Sequence, residues 1–266
     1  MNRVVLITGA SSGIGKVTAE YLSEKGYKVY GTSRKPSRAE TKFTLLPMDV
    51  CIPDSIERAV ERILKEEGRI DVLVNNAGMG ITGPIEDTPT EEMKRVFDTN
   101  FFGPIEVMKA VLPSMRTHNQ GLIINITSIA GYMGLPFRGV YSASKGALEL
   151  ITESIRMETK GFGVEVTNIA PGDFATRIAA GRYHAPVLEH SAYRDAYQKS
   201  LDLMDSHVDQ GGDPVMMARK IHEVIQKSSP GIHYKVGAFM QKFSIVLKRI
   251  LPSRLYERLL MNHYEL

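Results

Sequence analysis

Short runs of aliphatic and β-branched residues alternate along the chain with longer segments of helical periodicity. The runs predict strands over residues 3–8, 28–32, 44–47, 71–74, 121–127, 164–169 and 232–236. The periodic segments predict helices over residues 13–25, 53–67, 91–118, 140–160 and 213–227. Helical crossovers between parallel strands are right-handed and cover both faces of the sheet. The alternation therefore predicts an α/β fold, a doubly wound parallel sheet between two helical layers.

Size, composition and charge narrow the class of protein. The 266 residues contain no repeat, low-complexity tract or linker, so we expect a single domain over residues 1–266. The net charge of +3 argues against a nucleic-acid partner. Cys51 is the only cysteine, which excludes an internal disulfide and favours a reducing, cytoplasmic setting. The first residues predict no signal peptide, and no uncharged apolar run reaches the length of a membrane span.

A glycine-rich turn lies at the first predicted strand–helix junction, in the segment LITGASSGIG. Glycine lets the backbone turn tightly and approach a phosphate, while the helix N-terminus offers free N–H groups and a partial positive charge. A turn without a ligand is the alternative, but its place at the first junction favours binding. We therefore expect a dinucleotide to bind the residues of this turn, namely Gly9, Ser11, Ser12, Gly13, Ile14 and Gly15.

Further motifs follow this turn in a fixed order. They are NNAG at 75–78, Asn100, Ser128, the pair Tyr141 and Lys145, the pair Pro171 and Gly172, and Thr176. With this set and order the chain resembles the short-chain dehydrogenase/reductase family. The resemblance implies a Rossmann-type fold and hydride transfer between a nicotinamide cofactor and a carbonyl or alcohol carbon.

The end of the second predicted strand bears on which nicotinamide cofactor is bound. A site that prefers NAD places a carboxylate there for the ribose 2′-hydroxyl, whereas this chain has Ser33 and Arg34. An arginine can form charge-assisted hydrogen bonds to a 2′-phosphate, so we expect NADP(H). An exposed basic loop is the alternative reading of Arg34. By the resemblance, other cofactor contacts come from Asp49, Val50, Asn76, Ala77, Gly78, Tyr141, Lys145, Pro171, Gly172 and Thr176.

Several of these positions also have structural interpretations. Asp49 could be a turn acid before a helix, and Asn76 could hold the adjoining strand instead of the adenosine ribose. Pro171, Gly172 and Thr176 lie in a predicted loop after the sixth strand, where the resemblance implies contacts with the nicotinamide carboxamide. An ordinary strand-to-loop turn is the alternative for that segment.

The predicted reacting centre is built on Tyr141 and Lys145, which are four residues apart and share one helix face. A phenol is a weak acid at neutral pH, and a nearby ammonium group stabilises its anion. The resemblance implies that Tyr141 is the general acid or base and that Lys145 tunes it and binds the nicotinamide ribose. It also implies that Ser128 anchors the substrate carbonyl and that Asn100 holds a water for proton supply. The structural alternatives are a packed ring for Tyr141, a strand-end cap for Ser128 and a kink-stabilising side chain for Asn100.

The substrate end is predicted in residues 176–212, a lid insertion rich in apolar and aromatic side chains. Apolar residues also occur at 132–137 and at Met79 and Ile81. For any one of them, packing inside the lid is the alternative, but together they predict a small apolar carbonyl or alcohol substrate. No metal site is expected, because the seven histidines lack the spacing of a ligand set.

The C-terminal residues 238–266 predict an amphipathic helical extension, with Pro252 ending one helix and Ser253 as the N-cap of another. From residue 234 onward there are six basic and two acidic residues. Such a segment can dock on its own domain, on a partner subunit or on an anionic membrane surface. The extension resembles that of family members acting on steroids, retinoids or long-chain lipids.

The sequence as a whole predicts an NADP(H)-dependent oxidoreductase of a steroid-like or long-chain lipid ketone or secondary alcohol. The expected assembly is a homodimer or homotetramer, in the cytoplasm or peripheral at the membrane. Two alternatives remain open at this point. One is a non-catalytic NADPH-binding regulator on the same fold. The other is a lipid ketone reductase associated with a membrane surface.

Overall fold

The computed structural model describes residues 2–36, 41–174, 181–208 and 211–266. Within them the main strands are β1 Val4–Ile7, β2 Lys28–Ser33, β3 Thr44–Pro47, β4 Val72–Asn75, β6 Gly121–Ile126, β7 Val164–Pro171 and β9 His233–Val236. They form one parallel sheet of seven strands in the order β3-β2-β1-β4-β6-β7-β9. Two short strands, β5 Ile81–Thr82 and β8 Tyr183–His184, pair separately. The predicted Rossmann-type fold is confirmed.

Helices cover both faces of this sheet. The helices of the described residues are α1 Gly13–Glu24, α2 Pro53–Glu67, α3 Thr90–Phe97, α4 Gly103–Thr117, α5 Gly139–Thr159, α6 Arg194–Val208, α7 Val215–Ile225, α8 Phe239–Ile250 and α9 Ser253–His263. Strand β1 shows how the two layers are specified. Its side chains alternate between the faces, so Val5 and Ile7 pack in one core with α1 and α7. Val4 and Leu6 pack in the other core with α2 and α4.

The strand order reverses direction next to β1. From β1 the chain adds β2 and β3 on one side, whereas β4 pairs with the other side of β1. The connections that leave β1 and β4 therefore diverge, which opens a crevice at the carboxyl ends of these strands. Thr8 and Gly9 follow β1 at this crevice, and Asn76 and Ala77 follow β4.

Four local predictions need correction. The helix expected over 91–118 is divided into α3 and α4 by a π-helical turn at Asp98–Phe102. The lid segment contains α6 and β8. Neither was predicted, because the regular alternation of strand and helix patterns is lost in this segment. Pro171 is the last residue of β7, because its pairing with Val236 extends that strand beyond the predicted loop boundary. Ser253 is the first residue of α9 and Pro252 precedes it, so Ser253 is not an N-cap.

The C-terminal extension packs on its own domain. Ile245 of α8 and Tyr256 of α9 are buried in a third hydrophobic cluster with Ile129, Met133 and Ala170. The Tyr256 hydroxyl donates to the Met133 sulfur at 2.8 Å. Of the three docking alternatives, the domain itself therefore receives one face of the extension. None of the helices in the described ranges is long and apolar enough to cross a membrane.

Candidate active site

A cavity of about 1060 Å³ occupies the crevice beyond β1, β2 and β4. Most of the residues predicted to contact the adenosine and phosphate half of the cofactor line it, namely Gly9, Ser11, Ser12, Gly13, Ile14, Ser33, Arg34, Asp49, Val50, Asn76, Ala77 and Gly78. Gly15 does not line the cavity. It lies in the first turn of α1, where a Cβ would collide with the Gly9 carbonyl, so this glycine allows the helix to pack closely on the turn.

The turn after β1 is locked to the NNAG segment by hydrogen bonds. The Thr8 hydroxyl oxygen accepts from the backbone N–H of Asn76 at 3.0 Å and of Ala77 at 2.9 Å. The Asn76 amide donates back to the carbonyls of Thr8 at 2.9 Å and Gly9 at 3.1 Å. Asn76 therefore holds the adjoining strand, as its structural interpretation predicted. Thr8 was not among the predicted site residues, although its place before the first glycine was a usable signal.

Gly9 adopts a left-handed backbone with φ of 67°. A Cβ at this position would lie 2.9 Å from the Ala77 Cα, so the turn and the NNAG segment can be this close only with glycine. The next glycine of the turn, Gly13, also has a positive φ, of 54°, and it opens α1. The N-terminal N–H groups of α1 thus border the cavity, as expected of a phosphate-binding turn.

The rim at the end of β2 is basic. Ser33 ends the strand, and Arg34 and Lys35 follow as exposed residues that line the cavity. No carboxylate stands at the strand end. Across the cavity, the Asp49 carboxylate accepts from the Cys51 N–H at 3.0 Å. Asp49 is therefore both a turn acid and a lining residue.

Lys145 contributes a buried amine to the predicted reacting centre. It lies on α5 one turn after Tyr141, is buried, and donates from Nζ to the carbonyl oxygen of Ile126 at 2.9 Å. Burial disfavours the charged amine and lowers the pKa of Lys145 to about 8. A Cβ on Gly78 would lie 3.3 Å from this Nζ, so the NNAG segment approaches the amine directly.

Asn100 lies at the centre of the π-helical turn and is fully buried. Its Oδ1 accepts from the Met79 N–H at 2.8 Å, and its Nδ2 donates to the Met79 carbonyl at 2.9 Å. Nδ2 also donates to the Ser144 hydroxyl at 3.1 Å, which in turn donates to the Tyr141 carbonyl at 2.8 Å. Asn100 thereby connects the NNAG segment to the helix that carries Tyr141 and Lys145.

Ser128 follows β6, two residues after the carbonyl that accepts from Lys145. Its hydroxyl oxygen accepts from the Ala130 N–H at 3.2 Å and so caps a short 3-10 turn. Gly131 in that turn packs on α5, because a Cβ on Gly146 would lie 2.8 Å from its carbonyl oxygen. Ser128 thus has the capping role of its structural alternative and is also held beside the Tyr141 helix.

The substrate side contains residues that sequence patterns did not indicate. The Arg138 guanidinium lies 5.5 Å from the centre of the Tyr141 ring. Tyr264, near the end of the chain, is buried, and burial raises its pKa while Arg138 opposes this through a hydrogen bond and its charge.

Glu149 is a further buried group, behind Ser128. Its carboxylate accepts from the Thr127 hydroxyl at 3.0 Å, and burial raises its pKa to about 7.

The remaining predicted contacts are at the end of β7. Gly172 donates its N–H to the Val236 carbonyl at 2.8 Å, and the Gln241 side chain of α8 lies against it. Pro171 and Gly172 are therefore placed near the 3-10 turn after Ser128, since a Cβ on Gly172 would lie 3.4 Å from Ile129. Thr176 lies outside the described residues. Ile81, which was predicted to lie at the substrate end, is buried, and so is Tyr197 of the lid segment.

The residues present fit a nicotinamide dinucleotide. Gly9 and Gly13 line the cavity with backbone at positive φ, and the cavity continues from the basic end of β2 to the NNAG segment beside Lys145. Among the described residues, no three His, Cys, Asp or Glu side chains are grouped as metal ligands would be.

Comparison with known proteins supports the same assignment. The family model described as short chain dehydrogenase matches residues 3–186. 3-Ketodihydrosphingosine reductase of Bacteroides thetaiotaomicron is 41% identical over 263 residues, which is 98% of each chain. Retinol dehydrogenase 8 of Bos taurus is 34% identical over 279 residues, covering 94% of this chain and 86% of that protein. A solved short-chain dehydrogenase from Streptomyces avermitilis superposes with a TM-score of 0.84 at 28% identity, covering 99% and 96% of the two chains. The chain belongs to the short-chain dehydrogenase/reductase family and is an oxidoreductase.

Proposed function

We propose that this protein is an NADP(H)-dependent reductase of the ketone of a long-chain, largely apolar lipid. The observation that carries the proposal is the buried amine of Lys145, one helical turn from Tyr141 and beside the NNAG segment. A lysine is rarely buried without a functional reason, because desolvation disfavours its charge. From this position we expect the amine to stabilise a phenolate and to bind a ribose.

The proposed cofactor preference rests on the end of β2. Arg34 and Lys35 line the cavity as exposed cations, and Ser33 adds a hydroxyl group. These groups suit a 2′-phosphate, whereas the carboxylate that would bind a free 2′-hydroxyl is missing from the strand end. We expect Arg34 to bind the phosphate, Asp49 and Val50 to contact the adenine, and Pro171, Gly172 and Thr176 to contact the nicotinamide.

In the proposed reaction, a nicotinamide cofactor held by the glycine-rich turn and Lys145 would supply the hydride that reduces the carbonyl carbon. Ser128 donates a hydrogen bond to the carbonyl oxygen and fixes its orientation, and Tyr141 donates its proton to that oxygen as negative charge develops there. Lys145 stabilises the phenolate that remains. Asn100 keeps α5 and the NNAG segment in register, and it lies on the route by which the proton is replaced.

The proposed substrate class has two supports. The segment between Ser128 and Tyr141 contains Met133, Leu135 and Phe137, and the first two pack in the cluster that holds the C-terminal helices. Two relatives that align over most of this chain are named for 3-ketodihydrosphingosine and for retinol, which each combine a long hydrocarbon part with a carbonyl or hydroxyl group. We therefore take 3-ketodihydrosphingosine as the first substrate to test. We further propose a homodimer or homotetramer of cytoplasmic location.

Replacement of Tyr141 by phenylalanine tests the proposal. NADPH oxidation would be followed with 3-ketodihydrosphingosine, a steroid ketone, retinal and a small aldehyde. We expect the long-chain ketone to give the highest kcat/KM, and Tyr141→Phe to lower kcat at least about 1000-fold while NADPH binding is kept. A variant with near wild-type turnover would refute the role of Tyr141. NADPH binding without turnover on any carbonyl in the wild-type protein would favour the non-catalytic regulator.

A further inference from the structure

The outward face of α8 exposes a continuous row of apolar side chains. Phe239, Phe243, Val246 and Ile250 recur at the spacing of one helix face, and we call them the outer stripe. All four are exposed, Phe239 and Ile250 by 73% each. The two phenylalanine rings stack with centres 5.7 Å apart. Scattered apolar side chains are normal on a protein surface, but a contiguous row indicates a contact surface.

The opposite face of α8 is already used. Ile245 is buried against the domain, and Leu247 and Leu251 pack at the edge of the same cluster. The outer stripe is therefore not the face that docks the helix on its own domain. The next helix, α9, also exposes apolar side chains, namely Leu255 and Leu259, which lie one turn apart and are each more than 40% exposed.

Cations border the outer stripe. Lys242 and Arg249 are seven residues apart, so they lie along one edge of it, and both are exposed. Residues 239–256 contain four basic residues and no acidic residue. This charge pattern complements a surface of lipid phosphates. A second copy of the chain would present the same cations to the stripe, so charge complementarity favours lipid over self-association.

We propose that the outer stripe of α8 docks on the surface of an anionic lipid bilayer. The apolar side chains enter the boundary between headgroups and acyl chains, and Lys242 and Arg249 lie among the phosphates. The contact is peripheral, in the plane of the membrane.

The position of the stripe gives this contact a consequence for catalysis, which rests on the proposed function. The inner side of α8 and α9 packs on Met133, which belongs to the segment following Ser128. Gln241 at the start of α8 lies against Gly172 at the end of β7. A bilayer that contacts the stripe therefore lies about one helix diameter from the segment that follows Ser128. Membrane contact would bring an apolar ketone dissolved in the lipid phase to this side of the protein.

The test is co-sedimentation of the full chain with vesicles of phosphatidylcholine, with and without phosphatidylglycerol. We expect binding to the anionic vesicles, at least about tenfold weaker binding to the neutral ones, and a marked loss at high salt. The double variant Phe239→Ser/Phe243→Ser should lower binding at least about tenfold, because two aromatic contacts are lost. Lys242→Gln/Arg249→Gln should also weaken binding, and should remove most of its dependence on anionic lipid.

Two matched controls carry similar changes elsewhere. Lys65→Gln/Lys160→Gln removes two exposed cations from α2 and the end of α5, and Met216→Ser removes an exposed apolar side chain from α7. Both should bind vesicles as the wild type does. Circular dichroism and NADPH binding verify that every variant is folded. The assay contains no substrate, so a failure of the proposed reaction leaves this result unchanged.

Three outcomes would overturn the proposal. In the first, the wild-type protein does not bind anionic vesicles. In the second, the stripe variants bind as strongly as the wild type or the controls. In the third, the wild type does not bind vesicles, and light scattering shows that Phe239→Ser/Phe243→Ser separates an oligomer into monomers. The stripe would then be an interface between copies of the chain.

Discussion

Replacing Lys145 by methionine removes a buried amine and keeps an unbranched side chain of similar length. In the folded protein this amine is surrounded by protein and donates to the Ile126 carbonyl. The substitution therefore removes two opposing contributions to the free energy of unfolding. One is the cost of keeping a cation out of water, and the other is the hydrogen bond to a buried carbonyl.

The magnitude follows from the shift of the amine's pKa. Burial lowers the pKa of Lys145 from 10.5 to about 8, which corresponds to about 3 kcal/mol at neutral pH. An acceptor left without its donor costs about 1–3 kcal/mol. The two effects largely cancel, so we expect Lys145→Met to be within about 2 kcal/mol of the wild-type stability near pH 7, although it should be inactive.

The same shift predicts how the difference changes with pH. Below about pH 8 the folded and unfolded chains both carry the proton, so the amine adds no slope. Between about pH 8 and 10.5 the unfolded chain binds a proton that the folded chain has lost, and the free energy of unfolding rises with pH. Relative to Lys145→Met, the wild type should therefore gain about 2–3 kcal/mol between about pH 7 and pH 10.

The assay is urea unfolding followed by far-UV circular dichroism, without cofactor, at several pH values over this range. The control is Lys65→Met, in which an exposed lysine on α2 is lost, and it should show no slope against the wild type. A difference between wild type and Lys145→Met that is flat over this range, or that falls as pH rises, would refute the reasoning.

Three further predictions address the cofactor turn and the helix interruption. Arg34→Asp should raise the KM for NADPH about 10- to 100-fold and lower that for NADH, whereas unchanged selectivity in steady-state kinetics would make the arginine a bystander. Asn100→Ala leaves buried backbone groups without partners and should lower the free energy of unfolding by about 2–4 kcal/mol; a urea-measured loss under about 1 kcal/mol would contradict the contacts described. Gly9→Ala and Gly26→Ala both place a side chain at positive φ, but only the first also collides with Ala77. Calorimetry should therefore show lost dinucleotide binding for Gly9→Ala alone, and equal losses in both would be inconsistent with a cofactor role for the turn.

The strands of the central sheet could be predicted from sequence because the residue types in each strand depend on how that strand is buried. The β3 strand and the α2 helix have the predicted boundaries, Thr44–Pro47 and Pro53–Glu67. In both, a proline marks the boundary, since proline lacks the N–H that would extend a strand and is favoured in the first turn of a helix. The signals that predict these elements are local and do not depend on the rest of the fold.

The π-helical turn at Asp98–Phe102 could not be predicted in this way. The periodicity of the segment indicates a helix on both sides of the turn. What stabilises the interruption is the bonding of Asn100 to both backbone groups of Met79, which lies 21 residues earlier in the chain. The local periodicity of the sequence contains no signal for a partner at that separation. The same is true of Arg138, whose place over Tyr141 depends on tertiary contacts.

The Tyr141 and Lys145 spacing shows where sequence reasoning ends and structure begins. Many pairs of residues that are four apart on a helix are exposed to solvent. The spacing alone therefore does not predict that the lysine is buried. Burial comes from close approach of two other segments. Gly146 lies against the Gly131 carbonyl, so the turn after Ser128 contacts α5 directly, and Gly78 closes the side toward the cavity. A side chain at Gly146 would move α5 away from the turn after Ser128, and a side chain at Gly78 would press on the amine and on Asn100. These glycines thus hold the geometry of the proposed site, although they carry no reactive group.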